Sequence, residues 1–147
     1  MAVALRDVAN DDLPIFFEHQ LDPEATAMAA FPARDREAFM AHWTRIRRDD
    51  TCILRAVLDD GEVVGNIGSW ESDGDRYVGY WIGKEHWGRG IASAALAAFV
   101  AEVTARPLLA RVAKHNVASA RVLEKCGFEI VSEATAGDVE ELLLVLR

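Results

Sequence analysis

Between residues 51 and 83, apolar and polar positions alternate in short runs separated by turn residues, a pattern typical of strands. The runs TCILRAVL, EVVGNIGSW and RYVGYWIG cover residues 51–58, 62–70 and 76–83. Asp59-Asp60-Gly61 and the ESDGD segment lie between them and predict two tight hairpin turns. From about residue 90 the pattern changes to the alanine-rich stretch IASAALAAFVAEV, which predicts a helix.

The remaining segments predict further helices and strands on both sides. Residues 3–8 predict a short strand, and Asn10, Asp11 and Asp12 predict the cap of a helix over LPIFFEHQL. The segment from Arg34 to Arg48 predicts a polar-rich helix, whose apolar positions are Phe39, Trp43 and Ile46. Arg106-Pro107 ends the alanine-rich helix, and the strand LLARVA (108–113) follows. Next comes the helix VASARVLEKC, which is capped by Asn116 and ends at Gly127. The last two strands, FEIVSEA and VEELLLVLR, lie on either side of the turn Ala136-Gly137-Asp138. This order predicts one α/β domain over residues 1–147, built on a mixed sheet.

Length and composition narrow the class of protein. A chain of 147 residues with 51% hydrophobic content can bury one core. No apolar run is long enough for a bilayer and MAVALRDVAN lacks the order of a secretory signal, so we expect a cytoplasmic protein that does not enter membranes. Cys52 and Cys126 are then expected as free thiols. The four histidines have no metal-ligand spacing, and no metal is expected.

The charge is distributed unevenly. A net charge of −8 argues against a nucleic-acid partner. Between Lys84 and Lys125, however, seven Lys or Arg residues outnumber three Asp or Glu residues, a local balance of +4 that leaves −12 for the rest of the chain. The cationic stretch indicates a polyanionic ligand, or else an ordinary fluctuation of surface charge. The acidic remainder would attract cationic amines.

The cationic stretch contains HWGRGIAS, residues 86–93, which joins the strand at 76–83 to the alanine-rich helix. A strand–glycine turn–helix junction presents free backbone N–H groups and the positive end of the helix dipole, a geometry that binds phosphate. A nucleotide P-loop is excluded because no Lys-Ser or Lys-Thr pair follows the glycines. A dinucleotide fingerprint fails because Ser93 replaces the third glycine and Arg111 lies near the expected acid. The alternative to a phosphate site is an ordinary tight turn.

Two blocks carry a family resemblance: YWIGKEHWGRGIASAAL and, about 25 residues later, HNVASARVLEKCGFEIV. Together they resemble the GNAT-type N-acetyltransferase superfamily, and most closely its branch that acetylates the N-termini of ribosomal proteins. The family loop Gln/Arg-x-x-Gly-x-Gly/Ala is matched by residues 87–92, except that Trp87 replaces the first residue. The second block is matched by Asn116, Ser119, Lys125, Gly127 and Phe128. The resemblance implies a GNAT-like, mostly antiparallel central sheet flanked by helices, in the order β-α-α-β-β-β-α-β-α-β-β.

The resemblance also implies a coenzyme A site. The amides from Gly88 to Ser93 would cradle the pyrophosphate. Asn116 would bond the pantetheine arm, although it also fits a helix cap, and Ser119 would have a cofactor role, although it also fits a solvated polar residue. The implied cofactor-binding residues are Trp81, Ile82, Gly83, Trp87, Gly88, Arg89, Gly90, Ile91, Ala92, Ser93, Asn116 and Ser119.

The implied reaction is transfer of an acetyl group from acetyl-CoA to a primary amine by direct attack in a ternary complex. A backbone N–H near Trp81 or Ile82 would stabilise the oxyanion. The chain departs from the family at Leu123, where many members have a Tyr acid, and at Tyr77, where many have a Glu. Ser119 or water would therefore protonate the sulfur, or no group need do so. Glu71 is the remaining candidate base, or else a solvated turn carboxylate; water or Tyr80 comes next.

Two other classes of function remain open at this point. One is a non-catalytic acyl-CoA-binding sensor or interaction module on the same fold, and the other is an α/β domain that binds no coenzyme A. The expected acceptor is an amine on a small molecule or a protein N-terminus, and a homodimer is left open beside a monomer.

Overall fold

The computed structural model describes residues 2–147. It contains seven strands and five α-helices within that part of the chain. The strands are β1 (Val3–Asp7), β2 (Ile53–Asp59), β3 (Glu62–Ser72), β4 (Asp75–Ile82), β5 (Leu108–Ala113), β6 (Glu129–Ala136) and β7 (Val139–Leu146). The helices are α1 (Leu13–Leu21), α2 (Pro23–Ala29), α3 (Arg36–Arg47), α4 (Ile91–Glu102) and α5 (Val117–Lys125). No helix within residues 2–147 is long and apolar enough to cross a membrane.

All seven strands belong to one sheet with the order β1-β2-β3-β4-β5-β7-β6. Every neighbouring pair is antiparallel except β4 and β5, which are joined by the α4 crossover and pair in parallel. The antiparallel hairpins follow from their turns, since Gly61, Gly74 and Gly137 all adopt positive φ. The predicted mixed, mostly antiparallel sheet flanked by helices is confirmed.

The helices cover the two faces of the sheet. One face carries the larger core, in which α4 and α5 pack on the central strands and Ile91, Leu96 and Phe99 are buried. The other face carries a smaller core between the sheet and helices α1 and α3, with Phe16 packed against Trp43 at a ring distance of 5.2 Å. Because side chains alternate along a strand, each position of β4 is assigned to one of these faces.

The expectation of two helices between β1 and β2 is wrong, because there are three. Helix α2 has only seven residues, PEATAMA, and buries only Ala25, so it leaves little hydrophobic period in the sequence. It does have a local start signal: the side chain of Asp22 accepts hydrogen bonds from the N–H groups of Glu24 and Ala25. The other element boundaries agree with the predicted ones to within two residues.

The pairing of β4 with β5 is short. The two strands pair only at Arg76 with Leu108 and at Tyr77 with Leu109, so the ladder ends after the first part of β4. The second part of β4 leads to the 86–93 segment without a partner on that side. We call the gap between β4 and β5 beyond Tyr77 the β4–β5 opening.

Candidate active site

The glycine loop, residues 86–93, forms the junction between β4 and α4 that the sequence predicts. Gly88 and Gly90 have φ of +78° and +76°, a left-handed conformation that side chains disfavour. Gly90 caps α4, and the N–H of Ala94 donates the first helical hydrogen bond to its carbonyl at 3.1 Å. None of the N–H groups from Gly88 to Ser93 donates a hydrogen bond to another group of residues 2–147. A Cβ at Gly88 would meet no protein atom within 4 Å, so the outer side of the loop is open.

Two side chains attach the glycine loop to the sheet. The indole Nε1 of Trp87 donates to the carbonyl of Ile82 at 2.9 Å. The guanidinium of Arg89 forms an ion pair with Asp59 at the end of β2, whose carboxylate is buried and also accepts from the N–H of Ala2 at 3.2 Å. The charged group of Arg89 is therefore engaged by the protein, while its backbone N–H has no partner within residues 2–147.

On the α5 side, the two polar residues of the second block lie together. Asn116 is the N-cap of α5 as predicted, and its side chain accepts from the N–H of Ser119 at 3.2 Å. The hydroxyl of Ser119 lies 2.7 Å from that of Tyr80 on β4. Burial raises the pKa of Tyr80 to about 12, against a smaller lowering by the Ser119 hydrogen bond. The phenol thus stays protonated at neutral pH, next to the β4–β5 opening.

Glu71 lies at the other end of the β3–β4 hairpin. It pairs across the ladder with Arg76, and its Oε1 accepts from Nη2 of Arg76 at 2.9 Å. Arg76 in turn pairs with Leu108, in the closed part of the β4–β5 ladder. The structure brings Ser119 close to Tyr80, but it does not bring Glu71 into contact with either of them.

Three more predicted residues, Trp81, Ile82 and Gly83, lie at the end of β4 and directly after it. Ile82 is buried, and the N–H of Gly83 donates to Val64 at 2.9 Å. Because that bond fixes the alternation of the antiparallel ladder, the N–H groups of Tyr80 and Ile82 point away from β3 and towards the β4–β5 opening. The side chain of Trp81 lies on the face of the sheet opposite to those of Tyr80 and Ile82, and its buried Nε1 has no hydrogen-bond partner within residues 2–147.

The start of α4 completes the predicted set. Ile91 is buried in the larger core, while Ala92 and Ser93 are half-buried, and the thiol of Cys126 lies 3.8 Å from the carbonyl of Ser93. Both cysteines are free thiols, as expected. Within residues 2–147, no cluster of three His, Cys, Asp or Glu side chains could hold a metal ion.

Sequence reasoning missed a small cavity of about 140 Å³ on the α1–α3 face of the sheet, lined by Trp70, Ser72, Tyr77, Val78, Gly79 and Arg111. Trp70 stacks on Tyr77, with ring centroids 6.2 Å apart. Arg111 donates from Nη2 to the hydroxyl of Tyr77 at 3.0 Å. The alternation of side chains indicates which residues of one strand share a face. The cavity also depends on how β3, β4 and β5 are aligned with one another, and the sequence does not give that register.

Solved structures share this fold along nearly the whole chain. An aminoglycoside acetyltransferase, AAC(6')-Ib, in complex with coenzyme A is 17% identical over 99% of this chain and 94% of its own, with a TM-score of 0.82. RimL, a ribosomal L7/L12 alpha-N-protein acetyltransferase in complex with coenzyme A, is 16% identical over 98% of this chain and 93% of its own, also with a TM-score of 0.82. A GNAT-family acetyltransferase from Bacillus anthracis is 17% identical over 99% and 95%, again at 0.82.

No curated protein sequence matches the chain significantly. At these low identities the solved structures establish the fold alone. The family follows from the sequence itself, because the profile of the Acetyltransferase (GNAT) domain matches residues 3–129. That match includes the first block entirely and the second block up to residue 129. By fold and by sequence, the chain belongs to the GNAT family of acetyltransferases.

Proposed function

We propose that residues 1–147 form one catalytic domain that transfers an acetyl group from acetyl-CoA to a primary amine by direct attack. The observation that carries this proposal is the row of unengaged N–H groups from Gly88 to Ser93, at the start of α4 and beside the β4–β5 opening. A helix N-terminus with free amides favours a phosphate group, and the open outer side of Gly88 leaves room for it. Similar structures are complexes with coenzyme A, which supports the same assignment.

In this arrangement the loop amides hold the pyrophosphate, and the pantetheine arm follows β4 into the β4–β5 opening. The N–H groups of Tyr80 and Ile82 have no partner on β5, and they donate instead to the arm or to the developing oxyanion. Acetyl-CoA supplies the activated acyl group as a thioester. The protein contributes position and fixed dipoles, and no covalent enzyme intermediate is needed.

The paired hydroxyls of Ser119 and Tyr80 are our candidates for the group that meets the departing sulfur. Tyr80 keeps its proton well above neutral pH, so one of the two hydroxyls always remains a hydrogen-bond donor. This arrangement assigns to β4 a tyrosine role that many family members place at the position of Leu123 on α5.

Glu71 stays a prediction for the general base, in competition with water. To act as a base it would have to leave its ion pair with Arg76. The variant Glu71→Gln decides between the two: loss of a general base lowers the rate by about 10²–10⁴. A solvated turn carboxylate would change it by less than about threefold, since such surface groups contribute little.

The test of the proposed function combines binding with turnover. We expect coenzyme A to raise the unfolding midpoint, and acetyl-CoA to release free thiol when a panel of primary amines is added. A midpoint unchanged by millimolar coenzyme A would refute the cofactor assignment. Binding without thiol release from any amine would instead identify the chain as a non-catalytic acyl-CoA sensor.

A further inference from the structure

The cavity beside Tyr77 lies where an acceptor has to meet the proposed thioester. Tyr77 belongs to the last pair of the β4–β5 ladder, and Gly79 and Arg111 are the next residues of the two strands on the same face. The cavity is therefore at the closed end of the β4–β5 opening. It opens on the α1–α3 face, opposite the face that carries Tyr80 and Ser119.

Arg111 is the one charged residue among the six that line the cavity, and the protein does not neutralise it. No carboxylate among residues 2–147 lies within 4 Å of its guanidinium, although Glu141 occupies the same face of β7 opposite Ala113. Its Cζ lies 5.0 Å from the ring centroid of Tyr77, and one donor is used on the Tyr77 hydroxyl. A guanidinium has five donors, so the others are available to an anion.

The cavity also has an apolar wall. Trp70 lies nearly parallel to Tyr77, at an interplanar angle of 14°, and is 40% exposed. It can do so because Gly79 has no side chain: a Cβ there would lie 2.9 Å from the Trp70 ring. The exposed Trp70 ring, stacked on the buried Tyr77, offers an apolar surface to the hydrocarbon part of a small molecule or a side chain.

These features select among amines. A volume of about 140 Å³ admits a small group or the narrow end of a longer one. A polycationic acceptor such as an aminoglycoside would meet the positive charge of Arg111 and no lining carboxylate. An acceptor with an anionic group near its amine would instead find a donor fork and an apolar wall.

We propose that the acceptor is a primary amine with a carboxylate close to it, with the carboxylate on Arg111 and the neighbouring carbon chain against Trp70 and Tyr77. This inference rests on the proposed acetyl transfer. The amine nitrogen forms a bond to the thioester carbonyl carbon, the C–S bond breaks, one amine proton leaves to water or a base, and the sulfur takes up a proton. The products are an N-acetylated carboxylate and coenzyme A. Two sources share this chemistry: a free amino acid and a peptide N-terminus followed by an acidic side chain.

The experiment compares matched acceptors that differ only in the anion. The first pair is a free amino acid and its amide, and the second pair is a peptide beginning Ser-Glu and one beginning Ser-Gln. In one of these pairs we expect kcat/KM to be roughly 10- to 100-fold higher for the acceptor with the carboxylate, the usual effect of a charge-assisted hydrogen bond. Whichever pair shows the preference identifies the source. Arg111→Gln should remove this preference, because it raises KM for the carboxylate more than for the amide, and Arg111→Lys should restore part of it. Arg48→Gln, which removes an exposed arginine after α3, is the control.

A second readout separates this inference from the proposed function. Calorimetry measures binding of the same carboxylates and amides to the protein saturated with coenzyme A. Binding of the carboxylate that depends on Arg111, without turnover, would support the pocket and refute acetyl transfer. Turnover with no preference in either pair, or with a preference that survives Arg111→Gln, would overturn the pocket and leave acetyl transfer standing. Absence of both turnover and carboxylate binding would overturn both.

Discussion

A methyl group at Gly88 separates the two reasons for having a glycine there. The first reason is backbone conformation: at φ of +78° an alanine is strained by about 1–2 kcal/mol, partly offset by the lower entropy of its unfolded chain. Gly74, in the β3–β4 turn, provides a matched control, since its φ is +84° and a Cβ there also meets no protein atom within 4 Å. Gly88→Ala and Gly74→Ala should therefore destabilise the free protein alike, by about 1 kcal/mol, or about 2–4 °C in Tm.

The second reason is space for a phosphate, and only Gly88 should show it. At 100 times the dissociation constant, coenzyme A stabilises the parent by about 2.7 kcal/mol. If the new methyl lowers affinity tenfold, the same concentration stabilises Gly88→Ala by about 1.4 kcal/mol, whereas Gly74→Ala keeps the full increment. Thermal unfolding of the three proteins with and without coenzyme A measures both effects. Equal increments in the two variants would show that the loop glycines serve the turn alone.

Three further predictions concern single side chains. Burial raises the pKa of Tyr80 to about 12, so the unfolded chain ionises first near pH 10 and stability falls between about pH 10 and 12. Tyr80→Phe, which loses the Ser119 hydrogen bond, should be less stable by about 1 kcal/mol at pH 7. Its urea midpoint should fall less above pH 10, and a gap that stays constant up to pH 12 would contradict this reasoning. Burial, with two nearby arginines, lowers the pKa of His42 to about 4, so the parent should lose stability as pH falls from about 6.5 to 4. His42→Gln should lack that part of the acid sensitivity. Identical dependence of stability on pH in the parent and the variant would contradict this role of His42. Gly83→Ala places a Cβ 2.6 Å from Nε2 of His19 and should lower stability by about 1–3 kcal/mol. The double variant with His19→Ala should recover part of that stability, and additive losses of stability in urea unfolding would contradict the contact.

The parts of the fold that could be predicted are those encoded locally. Asp60-Gly61 and Asp73-Gly74 turn the chain within two residues, and the strands beside them alternate clearly, so the hairpins follow from short segments. Helix α2 was missed because seven residues with one buried side chain give too short a period. Its cap at Asp22 was present in the sequence but was not sufficient to indicate a helix.

The candidate site divides in the same way. The glycine loop could be predicted because its conformation is written in Gly88 and Gly90 themselves. The contacts of Tyr80 with Ser119 and of Arg111 with Tyr77 join residues 39 and 34 positions apart, and they depend on how strands and helix are arranged in space. The sequence indicates which face of a strand a residue occupies only relative to its neighbours, and the register supplies the rest.

The attachment of the glycine loop has a consequence for how a ligand could be recognised. Trp87 and Arg89 hold the loop in place through Ile82 and Asp59, contacts that lie within the protein, so conformational entropy of the loop is lost during folding. Association then meets a preorganised cradle and does not have to arrest a mobile segment, which favours affinity. It also makes the cradle depend on Asp59, a residue of the β2–β3 hairpin end, 30 positions before Arg89 in the chain. Substitutions at that hairpin could therefore weaken ligand binding without contacting the ligand.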